Sequence, residues 1–132
     1  MNKEKIDASE LFYSLFSFVK PRQGSVNIGS DEWHSHIVLH SSIQELAPKL
    51  WHVTGIFPNA PMAHREMVLY QLPDSALLIH NAIALNETQM TQLESLGTPK
   101  IMIVPNRIHR LDARVYKQRY PELLVVGCSS RR

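Results

Sequence analysis

The residues best placed for chemistry are Asn106 and His109, which follow an uninterrupted apolar run, Ile101-Met102-Ile103-Val104. The run is short and rich in β-branched side chains, so it predicts a buried strand. Pro105 cannot donate to a sheet ladder and ends it. In open α/β sheets ligands sit outside the carboxyl ends of strands, which makes the polar loop after Val104 the first place to expect a site. His80 closes an earlier apolar run, Ala76-Leu77-Leu78-Ile79. A helix separates the two runs, so they should form a right-handed crossover with parallel strands. His80 would then stand beside His109, with the rings roughly 5–8 Å apart given the spacing of adjacent strands. His80, Asn106 and His109 are therefore the candidate metal or ligand residues. The plainer alternative has Asn106 capping the next turn and His109 as a hydrogen-bonded, partly buried side chain.

Two other groups carry weaker signals. Trp33 to His40 alternates as a strand would, with Trp33, Ser35, Ile37 and Leu39 on one face and His34, His36, Val38 and His40 on the other. On a strand, His34 and His36 would share one side about 7 Å apart and could serve a metal. Arg110, Arg114 and Lys117 fall on one face of a helix expected from about Leu111 to Tyr120, a stripe able to hold phosphates. The alternative for this stripe is an ordinary solvated face. Cys128 has no activating neighbour in sequence.

The elements that must position these residues follow from periodicity and punctuation. Asp7 and Glu10 resemble a capping box. Leu11, Phe12, Leu15, Phe16 and Val19 then share one helical face before Pro21. A loop spans 21–31. Ser42 and Glu45 predict a helical turn stopped near Pro48. Leu50 to Ile56 reads as a strand, 57–63 as a proline-containing loop, and Arg65 to Leu72 as a second strand. That second strand has Val68, Tyr70 and Leu72 on one side and Met67 and Leu69 on the other. The tight turn Pro73-Asp74-Ser75 makes the next strand antiparallel. Asn86 caps a helix that Gly97 closes, and Leu123 to Val126 is a last apolar strand. From Leu50 onward the order is β-β-β-α-β-α-β, antiparallel first and parallel afterwards: a mixed-sheet α/β fold with an extra N-terminal helix.

The bulk properties suit one domain of 132 residues with a real core. An apolar fraction of 44% and a charged fraction of 20% exclude a disordered chain. The net charge of +2 does not by itself argue for nucleic acid. No apolar run approaches the roughly 20 residues of a membrane span, and the N-terminal apolar stretch lacks a signal-peptide cleavage pattern. The single cysteine excludes an internal disulfide framework and fits a reducing, cytoplasmic compartment.

Several short motifs in order carry a family resemblance: LWHVTG, the Arg65-Glu66-Met67-Val68 strand, LLIHNAI, LESLG, and VPNRIH with YPE downstream. Together they resemble an uncharacterised branch of the metallo-β-lactamase superfamily, metal-dependent hydrolases and oxidoreductases with a four-layered αββα sandwich. The resemblance runs from Ile43 to Val126 and reaches the first half of that fold, leaving 1–42 as an N-terminal helix and extension. It implies that Arg65 supports the site. The superfamily's metal motif is His-x-His-x-Asp-His, but here Val104, Asn106 and Ile108 stand where His, His and Asp would be, with His109 against the last histidine. The motif is degenerate, so the resemblance implies a non-catalytic binding or structural module. A metal-dependent hydrolase using zinc or another divalent ion with a reduced ligand set is one alternative. A polyanion-binding module is another, with nucleic acid not favoured as partner. A half sandwich should also expose an apolar sheet face, so self-association as a dimer is expected unless the N-terminal helix covers it.

Overall fold

The computed structural model describes residues 18–19, 31–106 and 110–127. Among these, eight strands form one mixed sheet: β1 (Phe18–Val19), β2 (His40–Ser41), β3 (Gln44–Ala47), β4 (Leu50–Phe57), β5 (Ala60–Gln71), β6 (Ala76–His80), β7 (Thr98–Val104) and β8 (Leu124–Gly127). Three helices accompany them: α1 (Asp31–His36), α2 (Glu87–Leu96) and α3 (Ala113–Arg119). The strand order is β1-β2-β4-β5-β6-β7-β8, with β3 beside β4. Pairing is antiparallel from β1 to β6, and β6-β7 and β7-β8 are parallel. The β-β-β-α-β-α-β order expected from Leu50 is thus present, with the β6–β7 crossover joining direct neighbours.

The core lies between the sheet and its helices. Val53, Met67, Leu69, Leu77, Ile79, Met102 and Val104 point from the strands toward Trp33 of α1, Met90 and Leu93 of α2, and Val115 and Tyr116 of α3. Each such side chain contributes roughly 1.5–3 kcal/mol by leaving water. Trp33 meets Tyr116 edge to face at 4.9 Å. Its indole Nε1 donates to the Leu85 carbonyl at 3.0 Å, and the Tyr116 hydroxyl donates to the Ile83 carbonyl at 2.8 Å. Residues 82–86 are buried without being helix or strand, and these bonds satisfy part of their backbone.

Asn86 caps α2 through its side chain, which accepts from the Gln89 N–H at 3.0 Å. Gly97 ends the helix for a reason other than a left-handed turn, because its φ of 163° is ordinary extended backbone. A Cβ there would lie 2.7 Å from the Ser75 carbonyl oxygen. Glycine is required so that the helix end can approach the β5–β6 turn.

Four expectations change. Phe18 and Val19 pair with Ser41 and His40 as a strand, so the helix expected through Val19 does not include them; the rest of that helix lies outside the described residues. Trp33 to His40 is not a strand. It opens as α1, where Trp33, His36 and Ile37 share one face at i, i+3 and i+4, a spacing that strand-like alternation masks. The turn expected at 42–48 is strand β3, bulged between Glu45 and Ala47. The loop expected at 57–63 is a hairpin turning at Pro58–Asn59, with β5 already under way at Ala60.

Candidate functional site

The carboxyl ends of β6 and β7 lie side by side, with Ile79 opposite Met102 and His80 opposite Ile103. The Asn81 N–H extends this ladder by donating to the Ile103 carbonyl at 3.0 Å. Asn81 then turns with a φ of 60°, and its Nδ2 donates to the Glu66 carbonyl at 2.7 Å. Its buried Oδ1 accepts no hydrogen bond among the described residues. His80 is half-buried and Asn106 exposed, while His109, and with it the expected His80–His109 pair, lies outside the described residues.

At the motif positions that are described, Val104 and Asn106, no histidine is present to bind a zinc of the superfamily type. Val104, at the first histidine position of that motif, is a core side chain. Among the described residues no three His, Cys, Asp or Glu side chains gather as metal ligands. The His34 and His36 pair loses its basis, because on helix α1 residues two apart do not face each other.

The principal polar cluster on the helix side of this edge centres on Asp112, a residue the sequence reading passed over. One carboxylate oxygen accepts from Arg65 Nη2 and the Ala84 N–H, both at 2.9 Å. The other lies 2.9 Å from His36 Nδ1. Arg65 and Asp112 are almost completely buried, so the pair is a desolvated ion pair with added hydrogen bonds. Arg65 also donates from Nε to the Ile56 carbonyl at 3.1 Å, and its guanidinium lies 5.9 Å from the Phe57 ring centre. Its Nη1 is buried without a hydrogen-bond partner among the described residues. Arg65 shares the core face with Met67 and Leu69, whereas His80 is paired with Val68 on the opposite face. Arg65 therefore anchors α1, α3 and the 82–86 segment to β5, rather than supporting His80.

His40 is a second buried polar residue, at the start of β2. Its Nδ1 bonds the Ser41 carbonyl at 2.8 Å, and its Nε2 accepts from the Asn86 N–H at 3.1 Å. That pattern assigns a neutral imidazole protonated on Nδ1. Burial holds its pKa below that of a free histidine, and the Arg65 charge acts in the same direction.

The basic stripe is partly engaged within the fold. Arg114 pairs with Glu32 of α1. Lys117 Nζ donates to the carbonyls of Pro121 and Leu123, at 2.6 and 2.7 Å, and fixes the turn into β8. Arg110 and Arg114 border a shallow recess of about 400 Å³ floored by Val104, Ala113, Val125 and Gly127.

The most extended surface feature is the sheet face on which, among the described residues, no helix packs. Strand register aligns Leu50, Tyr70, Leu78, Ile101 and Leu124 in one row across β4 to β8. The next row is His52, Val68, His80, Ile103 and Val126. Tyr70, Leu124 and Val126 are 42, 59 and 48% exposed, and Leu78, Ile101 and Ile103 half-buried. The rows end at a polar corner on β4 and β5, where Glu66 accepts from Thr54 Oγ1 at 2.6 Å and lies 3.0 Å from His52 Nδ1.

No model of a known family matches the chain, and no curated protein does. Among the described residues no helix is long and apolar enough to cross a membrane.

Proposed function

We propose that this protein is a non-catalytic interaction module, built like the first half of a metallo-β-lactamase fold, whose working surface is the helix-free sheet face. The two cross-strand rows carry this reading. One row is apolar over five strands, and the other contributes Val68, Ile103 and Val126. Contiguous apolar surface of this kind marks a contact with another macromolecule. The first partner to expect is another copy of the chain. The polar side chains near the carboxyl edge support the same reading, since Arg65, Asp112 and His40 are committed to internal contacts. The engagement of Arg114 and Lys117 within the fold counts against a polyanion stripe.

The test is the double variant Leu78→Thr/Ile101→Thr, which keeps β-propensity while removing apolar area from the middle of the first row. Hydrophobic-dye fluorescence should fall several-fold, and self-association in sedimentation velocity should weaken, with the unfolding midpoint nearly unchanged. Dye binding and sedimentation identical to the parent would refute the reading. One metal ion per chain in protein purified without added metal or chelator would redirect it to a hydrolase.

A further inference from the structure

We infer that the recess between α3 and the end of β8 binds a small organic carboxylate, with its charge on Arg110 and Arg114 and its apolar body on Val104, Val125 and Gly127. The inference goes beyond the reading of the other sheet face and does not depend on it. The recess lies at the carboxyl ends of the parallel strands β7 and β8, where Val104 pairs with Gly127. That is the edge at which open α/β sheets hold their ligands.

The recess follows from how α3 packs. Val115 and Tyr116 are turned into the core, and Ala113 stands half-buried at the start of the helix. The strip of β8 beside it stays open, with Val125 39% exposed. Gly127 widens that opening. Its backbone is not left-handed, and a Cβ there would rest 3.7 Å from Val104, an ordinary van der Waals contact. The backbone does not require glycine at this position, so the missing side chain leaves room rather than relieving strain. A volume of about 400 Å³ lies within the range of small-molecule sites. At the ~30 Å³ that a water occupies in the liquid, it holds roughly a dozen heavy atoms.

Charge and lining set the ligand class. Two arginines and no acidic side chain line the recess, and its other lining side chains are apolar or absent. Arginine keeps its charge at all working pH values and presents a fork of N–H donors that matches a carboxylate. In sequence, the stretches that continue from β7 and β8, 105–110 and 128–132, add Arg107, Arg131 and Arg132 and contain no Asp or Glu. Arg114 already holds one carboxylate, that of Glu32, on its Nη2. The two side chains are 69 and 41% exposed, and such pairs contribute little in water, so a ligand can compete for the arginine. A ligand with an apolar body also gains from burial on Val104 and Val125, whereas Glu32 does not line the recess. Lys117 is held by the carbonyls of Pro121 and Leu123. The cations at the recess are therefore a pair, which suits one carboxylate rather than a chain of phosphates.

The experiment titrates the full chain at pH 7 with octanoate, a carboxylate of about ten heavy atoms, and follows it by two-dimensional amide NMR. Shifts should centre on Ala113, Val125 and Gly127 and saturate with a Kd of roughly 0.1–1 mM, as expected for so small a ligand in an open site. Arg110→Met and Arg114→Met keep the apolar stems and should each weaken binding about tenfold. Gly127→Leu fills the recess and should abolish binding, with the unfolding midpoint nearly unchanged. Glu32→Gln removes the competing carboxylate and should tighten binding about threefold; weaker binding would overturn the role of Arg114. Octanamide or inorganic phosphate binding as tightly as octanoate would overturn the ligand class. Affinity unchanged in Gly127→Leu, or in both methionine variants, would overturn the recess. So would shifts centred on Leu78 and Ile101, or binding lost in Leu78→Thr/Ile101→Thr and retained in Gly127→Leu, since either places octanoate on the other sheet face. The absence of any saturable shift up to about 10 mM also overturns it.

Discussion

Asp112→Ala is the substitution from which the largest single effect is expected. The carboxylate neutralises a guanidinium with no exposed surface, accepts from the Ala84 N–H and contacts His36. Its removal leaves Arg65 with one bond, to the Ile56 carbonyl, and a second nitrogen already lacking a partner among the described residues. An uncompensated buried charge costs roughly 3–5 kcal/mol. An orphaned buried N–H costs about 1–3 kcal/mol, and because the two share one site they do not add fully. The expected total is roughly 4–6 kcal/mol, against the 5–15 kcal/mol typical of a whole domain. Urea unfolding at pH 7, followed by far-UV dichroism, measures it. The sharper version is a double-mutant cycle with Arg65→Met, which removes the charge and supplies an apolar chain to the core face. If the cost lies in the stranded charge, the double variant should be at least about 2 kcal/mol more stable than Asp112→Ala alone. A loss below about 1 kcal/mol for Asp112→Ala, or no relief from Arg65→Met, refutes the reasoning.

Three further outcomes follow from two buried side chains and one close backbone approach. The pKa of His40 is lowered on folding, chiefly by burial, so the unfolded chain takes up its proton first. The contribution of His40 is complete above the unfolded pKa of about 6.5 and falls as pH drops from there toward the lower folded value; His40→Gln should flatten that part of the stability–pH curve between pH 7 and 5, and an unchanged slope would contradict it. Tyr116→Phe deletes the hydroxyl that satisfies the Ile83 carbonyl and should cost roughly 1–3 kcal/mol in chemical unfolding; the same buried hydroxyl has its pKa raised by desolvation, and burial raises Tyr120 as well, so spectrophotometric titration should leave Tyr116 and Tyr120 un-ionised beyond the usual tyrosine range, Tyr116 until the chain unfolds in alkali. Gly97→Ala places a Cβ against the Ser75 carbonyl and should cost about 1–3 kcal/mol through overpacking; a neutral or stabilising result would show that the turn yields.

From Leu50 onward the fold was legible because each element carried its own punctuation: Pro73-Asp74-Ser75 for the hairpin, Asn86 and Gly97 for α2, Pro105 for the end of β7. Before Leu50 it was not. Trp33 to His40 satisfies a period of 2 and of 3.6 equally well, and the choice fell to tertiary contacts, namely Trp33 on Tyr116 and His36 on Asp112. Strand β3 gave no apolar signal because all four of its residues are exposed. The polar network was harder still. Arg65 and Asp112 are 47 residues apart, and neither has a local motif announcing burial. The one available clue was a lone arginine alternating with Met67 and Leu69 on the core face of a strand. Asp112 looked like an ordinary residue at a helix start, and its side chain makes no cap there.

Among the described residues, the absence of a helix on this sheet face is a consequence of topology before it is one of composition. Strands β6, β7 and β8 follow one another in both sequence and space, each pair joined by a helix or helix-containing segment. Right-handed crossovers that advance in one direction place their helices on the same side of the sheet. A doubly wound sheet covers its second face by reversing that direction, and here no reversal occurs between β4 and β8. Residues on the other face are therefore left uncovered by α2 and α3. Had that face been meant for water alone, alternation on β6, β7 and β8 would have placed polar residues at Leu78, Ile101, Ile103, Leu124 and Val126, as one-sided sheets do. Apolar residues stand at all five positions instead, and that departure from one-sided alternation is what the proposed docking face rests on.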